Sequence, residues 1–259
     1  MNRKHYSKDK IVQLVIKIVP ILLFILLWQV VSSNEIINSK LFPPPTEVLD
    51  ALLFWIKSGV FWVDVNASIW RMLAGFLIGS LLGILAGMLT GRFRKINFTI
   101  VPLIQIFRPL PPVAIIPLVI VWLGIYDPAK IFSISFAVFF PVWINAHLGA
   151  NSIPKNYLRS AGLLTTSKLH IFYAVLFPAA LPSVIAGLRT AIPIAFVMVY
   201  VSEIAGASAG LGYRISISHL AYRIDIMMAA LFVLALAGAL TDLLFTFLVR
   251  IVFPWIKFL

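Results

Sequence analysis

The sequence predicts an all-α integral membrane protein with about six transmembrane helices and a helix–turn–helix projecting into the cytoplasm. Three observations carry that reading. Hydrophobic residues make up 61% of the 259-residue chain and charged residues only 12%, whereas a soluble domain is nearer half apolar and a quarter charged. Apolar runs long enough to cross a bilayer recur along the chain, and mean hydropathy is +1.03. Lysines and arginines gather at the ends of those runs, where they set orientation. The net charge of +12 therefore reads as membrane topology, with no nucleic-acid partner implied.

Six stretches reach crossing length: about 11–31, 65–90, 98–123, 129–150, 182–204 and 227–253. The first follows a basic opening, "MNRKHYSKDK", and reads as a retained helix rather than a cleaved leader. It is long enough if Lys17 snorkels to the interface, and no A-x-A site follows. With that end in the cytoplasm, the inner segments carry 12 basic residues: Arg3, Lys4, Lys8, Lys10, Arg92, Arg94, Lys95, Lys155, Arg159, Lys168, Arg250 and Lys257. The outer segments carry 5: Lys40, Lys57, Lys130, Arg214 and Arg223. Lys17, Arg71, Arg108 and Arg189 fall within spans. The bias places both termini inside.

Outside, "KLFPPPTEVLDALLFWI" offers Thr46 as the N-cap of a short helix lying on the outer surface. "GIYDPAK" reads as a tight turn, and residues 205–226 contain the glycine-rich "GASAGLG". The second span carries Gly75, Gly79, Gly83, Gly87 and Gly91, one every four residues. That spacing makes a groove along one helix face. It serves packing within the subunit first, with a dimer seam or moving interface as the alternative. In the third span, prolines 109, 111, 112 and 117 break a regular helix. Broken helices at membrane depth line transport pathways or make structural kinks.

Charges within the spans are few. Glu203 and Asp242 each need a partner or hydration, and Arg108 and Arg189 are the candidates. Glu203 reads either as half of an ion pair that fixes packing or as a polar gate at the outer mouth. Asp242 reads as structural. The chain has no cysteine, and His5, His147, His170 and His219 lack ligand spacing, so no metal site is expected. No phosphate-binding G-x-x-x-x-G-K-[ST], H-E-x-x-H or G-x-S-x-G motif occurs. Transport is favoured over intramembrane catalysis, driven by an ion gradient or by a partner. An ion-coupled carrier would show midplane carboxylates and an internal repeat, and no repeat is visible. A scaffold with no transported solute is the remaining class.

Residues 151–182 are too polar at their start to cross and too apolar at their end for a plain loop. Ser152 and Pro154 start one short helix through about Leu163. Thr165 or Thr166 caps a second, with Leu169, Ile171, Phe172, Val175 and Leu176 at helical spacing. Pro178 and Pro182 then stop the pattern before the next span. Such a knob fits a groove on a soluble partner.

This segment resembles the cytoplasmic coupling (EAA) loop of binding-protein-dependent ABC transporter permeases. The wider chain resembles the nitrate/sulfonate/taurine/bicarbonate branch of that family, over roughly residues 40–255. The resemblance rests on "FPPPTEVLDAL", "RPLPPVAIIPLVIVWLGIYDPAKIF", "FFPVWINAHLGA", "LPSVIAGLRTAI", "SEIAGASAGLGY" and "FPW", in that order. It implies a MetI-like permease fold as a single domain 1–259, with a core of about 60–255 and a coupling loop of about 151–181. It implies ABC ATPase subunits, a second permease copy, an extracytoplasmic solute-binding protein and membrane lipid as partners, in a bacterial inner membrane. It implies no enzyme activity and no cofactor in this chain, ATP being used by the ATPases. The solute would be a small anion such as nitrate, a sulfonate or bicarbonate, with a heterocyclic solute such as a pyrimidine precursor as the alternative. The implied ATPase-coupling residues are Arg159, Ser160, Ala161, Thr165 and Thr166; the pathway or gate residues are Pro111, Pro112, Glu203 and Gly206. One departure stands out. The family's loop expects Glu, Ala and Gly where this chain has Arg159, Ser160 and Thr165, which reverses the charge offered to the ATPase.

Overall fold

A computed structural model describes residues 3–34, 38 and 40–256. The side chains of Arg3, Lys4, Lys8, Lys10, Lys17, Lys155 and Lys168, and the whole of Lys257, lie outside the described residues. The elements are α1 (Arg3–Ser33), α2 (Pro45–Lys57), α3 (Val60–Arg92), α4 (Arg94–Phe107), α5 (Ile116–Leu123), α6 (Asp127–Asn151), α7 (Lys155–Leu164), α8 (Lys168–Ile171), α9 (Phe177–Ile204), α10 (Leu211–Leu220) and α11 (Ile224–Val252). A 3₁₀ turn, Pro112–Ile115, precedes α5, and a π turn, Phe172–Leu176, precedes α9. The chain divides into two compact units, Met1–Phe61 with Ile215–Leu231, and Trp62–Arg214 with Phe232–Leu259.

Among the described residues four helices are long and apolar enough to cross a membrane: Val60–Arg92, Asp127–Asn151, Leu169–Ile204 and Ile224–Val252. A fifth crossing results if Arg94–Phe107 and Pro112–Leu123, bent by 82°, count as one broken span. The stretch 98–123 is thus two helices at a steep angle. Prolines 109 and 111 fall in the gap between them and Pro112 opens the second, so no proline N–H is available there to continue the ladder. The stretch expected at 11–31 lies on α1, whose apolar part among the described residues, Val19–Ser33, is shorter than a span.

In the first unit, the corner between α1 and α2 is held by side chains. The Trp28 indole donates to the Pro43 carbonyl at 3.1 Å, and the Ser32 hydroxyl donates to the Phe42 carbonyl. Thr46 does not cap α2. The helix starts one residue earlier with Pro45, whose fixed φ suits a first helical position and which has no N–H to satisfy. The Thr46 amide is met instead by Gln29 Oε1 of α1 at 3.3 Å. Val48, Ala51 and Trp55 bury one stripe of α2.

In the second unit, the glycine stripe of α3 lies against α6. A Cβ at Gly75 would sit 2.6 Å from Ile134 Cβ, and one at Gly87 would sit 2.6 Å from the Trp143 carbonyl oxygen. The stripe therefore serves packing within the subunit. Helices α6 and α9 also approach through glycine: a Cβ at Gly187 would come within 2.7 Å of Asn145 Cβ. Met72, Ile134, Val138, Val142, Ile192 and Val199 fill the resulting core. The outer faces stay apolar and open, with Leu77, Phe98, Val121 and Leu243 all more than 60% exposed, as a surface meant for lipid requires.

Candidate functional site

The hairpin expected after the fourth crossing is present, with altered capping. Pro154 is the extended residue before α7, and Thr165 ends that helix in an extended conformation. Ser167, rather than Thr165 or Thr166, caps α8: its hydroxyl accepts the His170 amide at 3.3 Å. The Thr165 hydroxyl accepts the Ser167 amide at 3.2 Å and closes the turn. Pro178 and Pro182 do not stop the following helix. The chain widens into the π turn just ahead of Pro178, where a proline ring would clash with a regular α-helical turn. It then runs on, so that Leu169–Ile204 is continuous. Arg159, Ser160 and Thr166 are exposed, and Ala161 and Thr165 half-buried. The sequence reading missed the most exposed apolar side chains among the described residues of the knob, Leu163 and Leu164, which are 89% and 88% exposed. An adjacent leucine pair at a polar tip was the available signal.

Pro111 is the extended residue that enters the 3₁₀ turn, and Pro112 is its first residue. They aim α5 so that Ile116 and Ile120 line a small cleft with Gly206, Lys130 and Ser202. Gly206 also borders a larger cavity of about 660 Å³ into which charged residues open, with Arg71, Tyr126, Asp127, Lys130 and Ser208 in its lining. Pro111 and Pro112 line neither space.

Glu203 sits behind that cavity, buried. Its partner is neither Arg108 nor Arg189 but Arg71 of α3, whose Nη1 donates to Glu203 Oε1 at 2.8 Å. The same guanidinium donates from Nε to Asp127 at 2.7 Å and from Nη1 to the Ala209 carbonyl at 2.7 Å. Ser68 Oγ lies 2.8 and 2.9 Å from the two Glu203 oxygens and donates to them, while accepting the Leu211 amide at 2.7 Å. The Gly212 amide donates to Glu203 Oε2 at 2.8 Å. Asp64 completes the set by accepting from the Gly210 amide at 2.9 Å and from Arg214 at 2.8 Å. Gly210 has φ 134°, and a Cβ there would collide with the Glu203 carboxylate. Lys130, also buried, donates to the Ile125 carbonyl at 2.5 Å. Three carboxylates and three cations are thus gathered at one end of the unit. They pin the glycine-rich loop 205–210 and the start of α10 to α3, and such burial is tolerable because each charge is paired or hydrogen-bonded. Asp242 pairs with Arg189 at 3.0 Å, a half-exposed bridge between α11 and α9.

A family model for the inner membrane component of binding-protein-dependent transport systems matches residues 79–258. The chain belongs to that family. Relatives agree along nearly the whole length. A permease assigned to aliphatic sulfonate transport, SsuC of Escherichia coli strain K12, is 35% identical over 88% of this chain and 87% of its own. The taurine transport system permease TauC of the same strain is 28% identical over 94% and 90%. The nitrate import permease NrtB of Synechocystis is 29% identical over 91% and 88%. An inward-facing structure of the MetNI methionine ABC transporter shares the fold, with a TM-score of 0.58 at 20% identity over 74% of this chain and 97% of that one. The protein is therefore a multi-pass inner-membrane permease of an ABC importer, from a transport family rather than an enzyme family.

In this permease the sequence reading found Glu203 but not what holds it. Asp64, Ser68 and Arg71 follow i, i+4, i+7 spacing on a largely apolar helix, continuing the face that the glycines occupy below. A polar stripe prolonging a packing stripe was the signal.

Proposed function

We propose that this permease is the membrane path of an importer for a small oxyanion-bearing solute. It works as a single domain, as one of two identical copies, with both termini cytoplasmic. An extracytoplasmic binding protein delivers the solute, and ATPase subunits grip the α7–α8 knob. This chain contributes no cofactor; ATP is consumed by the partners. Support for the solute class comes from the relatives, whose names point to sulfonates, taurine and nitrate. The observation that carries the coupling role is the exposed Leu163–Leu164 pair that ends α7, one turn beyond Arg159, an apolar tip at the hairpin between two short helices. Arg159, Ser160, Ala161, Thr165 and Thr166 form its polar surround. Pro111 and Pro112 set the bend of the broken helix beside the path, Gly206 borders the outer cavity, and Glu203 anchors the loop that borders it.

Co-purification tests the knob. The full-length permease should retain its cognate ATPase, and deletion of residues 157–168 should release it while the membrane part still folds. Retention after deletion would refute the assignment. Calorimetry of the partner binding protein against nitrate, sulfonates, bicarbonate and pyrimidines tests the solute, and tight binding of a neutral heterocycle alone would refute the anion reading.

A further inference from the structure

We propose that the corner between α3 and α4 is a binding site for the phosphate headgroup of an anionic phospholipid, held by Arg92 and Arg94. A cavity of about 370 Å³ opens there, lined by Thr90, Arg92, Arg94, Asn97, Asn151 and Ile153 among others. Among the described residues no carboxylate lines it. The carboxylates of the second unit are engaged elsewhere: Asp64, Asp127 and Glu203 in the buried network, and Asp242 with Arg189. Two guanidiniums therefore face one polar cavity with no acid in its lining, and guanidiniums are well shaped for phosphate oxygens.

The floor of the cavity is tied down by hydrogen bonds. Asn97 donates to the Thr90 carbonyl at 3.0 Å and ties α4 to the end of α3. The Thr90 hydroxyl accepts from the Trp143 indole at 3.2 Å and lies 3.0 Å from His147 Nδ1, which locks this corner onto α6. Helix α4 begins at Arg94 without a side-chain cap, so its first-turn amides add positive potential beside the cavity. Apolar surface adjoins the charge: Leu89, Phe93 and Phe98 are 42%, 48% and 67% exposed, and the Arg94 guanidinium lies 5.4 Å from the centre of the Phe98 ring. A cationic polar cup beside exposed apolar side chains fits an amphiphile better than a free ion, and basic pockets between membrane helices bind acidic headgroups. The assignment depends on neither the transported solute nor the ATPase.

Native mass spectrometry of the purified permease with phosphatidylglycerol or phosphatidylcholine of matched chains tests it. Each basic side chain near a headgroup is worth roughly fivefold in binding, so R92Q/R94Q should lower phosphatidylglycerol binding by about twenty-five-fold. K57Q/R108Q, which removes the same charge from exposed positions elsewhere, should change it by less than about twofold. Equal binding of both lipids by the unaltered permease, or equal losses in both variants, would overturn the proposal. Millimolar inorganic phosphate should leave the lipid adduct in place, whereas displacement would assign the cup to a soluble oxyanion. If R92Q/R94Q fails to fold, hydrogen exchange on the unaltered permease decides. Phosphatidylglycerol should slow exchange of amides 91–96 relative to phosphatidylcholine, and unchanged exchange would overturn the site.

Discussion

Replacing Arg71 by methionine strands Glu203. The Glu203 side chain has no solvent exposure, and Arg71 supplies both its counter-charge and a 2.8 Å hydrogen bond. Ser68 and the Gly212 amide would still donate to the carboxylate, but no cation would remain bonded to it. Asp127, with 48% of its side chain exposed, can recover water. The loss therefore falls on Glu203, and breaking a buried pair from one side costs about 3–5 kcal/mol. At roughly 2–4 °C per kcal/mol for a chain of this size, the melting temperature of R71M should fall by roughly 10 °C in a fluorescence thermal-shift assay. E203Q should cost less, about 1–3 kcal/mol, because Arg71 keeps Asp127 and the Ala209 carbonyl. The double variant R71M/E203Q removes the uncompensated charge and should be more stable than R71M alone, with a coupling of about 2 kcal/mol. If the single losses simply add, within about 0.5 kcal/mol, the network is not a unit and the reasoning fails.

Three further outcomes follow from the same geometry. G79A places a methyl group against the Ser135 backbone and should destabilise by about 1–3 kcal/mol, whereas G162A, with nothing within 4 Å of the new Cβ, should be neutral or stabilising; matched thermal melts compare the two. L163D/L164D should abolish co-purification of the ATPase without lowering the melting temperature, since both side chains are exposed; a shared loss of stability would count against a docking role. D242N breaks a pair whose side chains are 40% and 34% exposed, so its cost should stay near 1 kcal/mol or less, and a melting loss as large as that of R71M would show this bridge to be stronger than its exposure allows.

The sequence by itself determined the class, most of the apolar runs, the break in the third run and the knob that follows residue 151. Each of these rests on composition or on residues within a few turns of one another. Four prolines between 109 and 117 cannot sustain a helix whatever surrounds them, and glycines every fourth residue make a groove in any context. Only the tertiary structure decided who meets whom. Glu203 and Arg71 are 132 residues apart, and their pairing depends on α3 and α9 bringing one polar end of each helix together. The same holds at the small scale: Gln29 meets the Thr46 amide from 17 residues away. Local propensity also misjudged Pro178, because a π turn can absorb a proline ring that would end a regular helix. Periodicity shows which face of a helix seeks a partner, but the partner is chosen by how the helices cross.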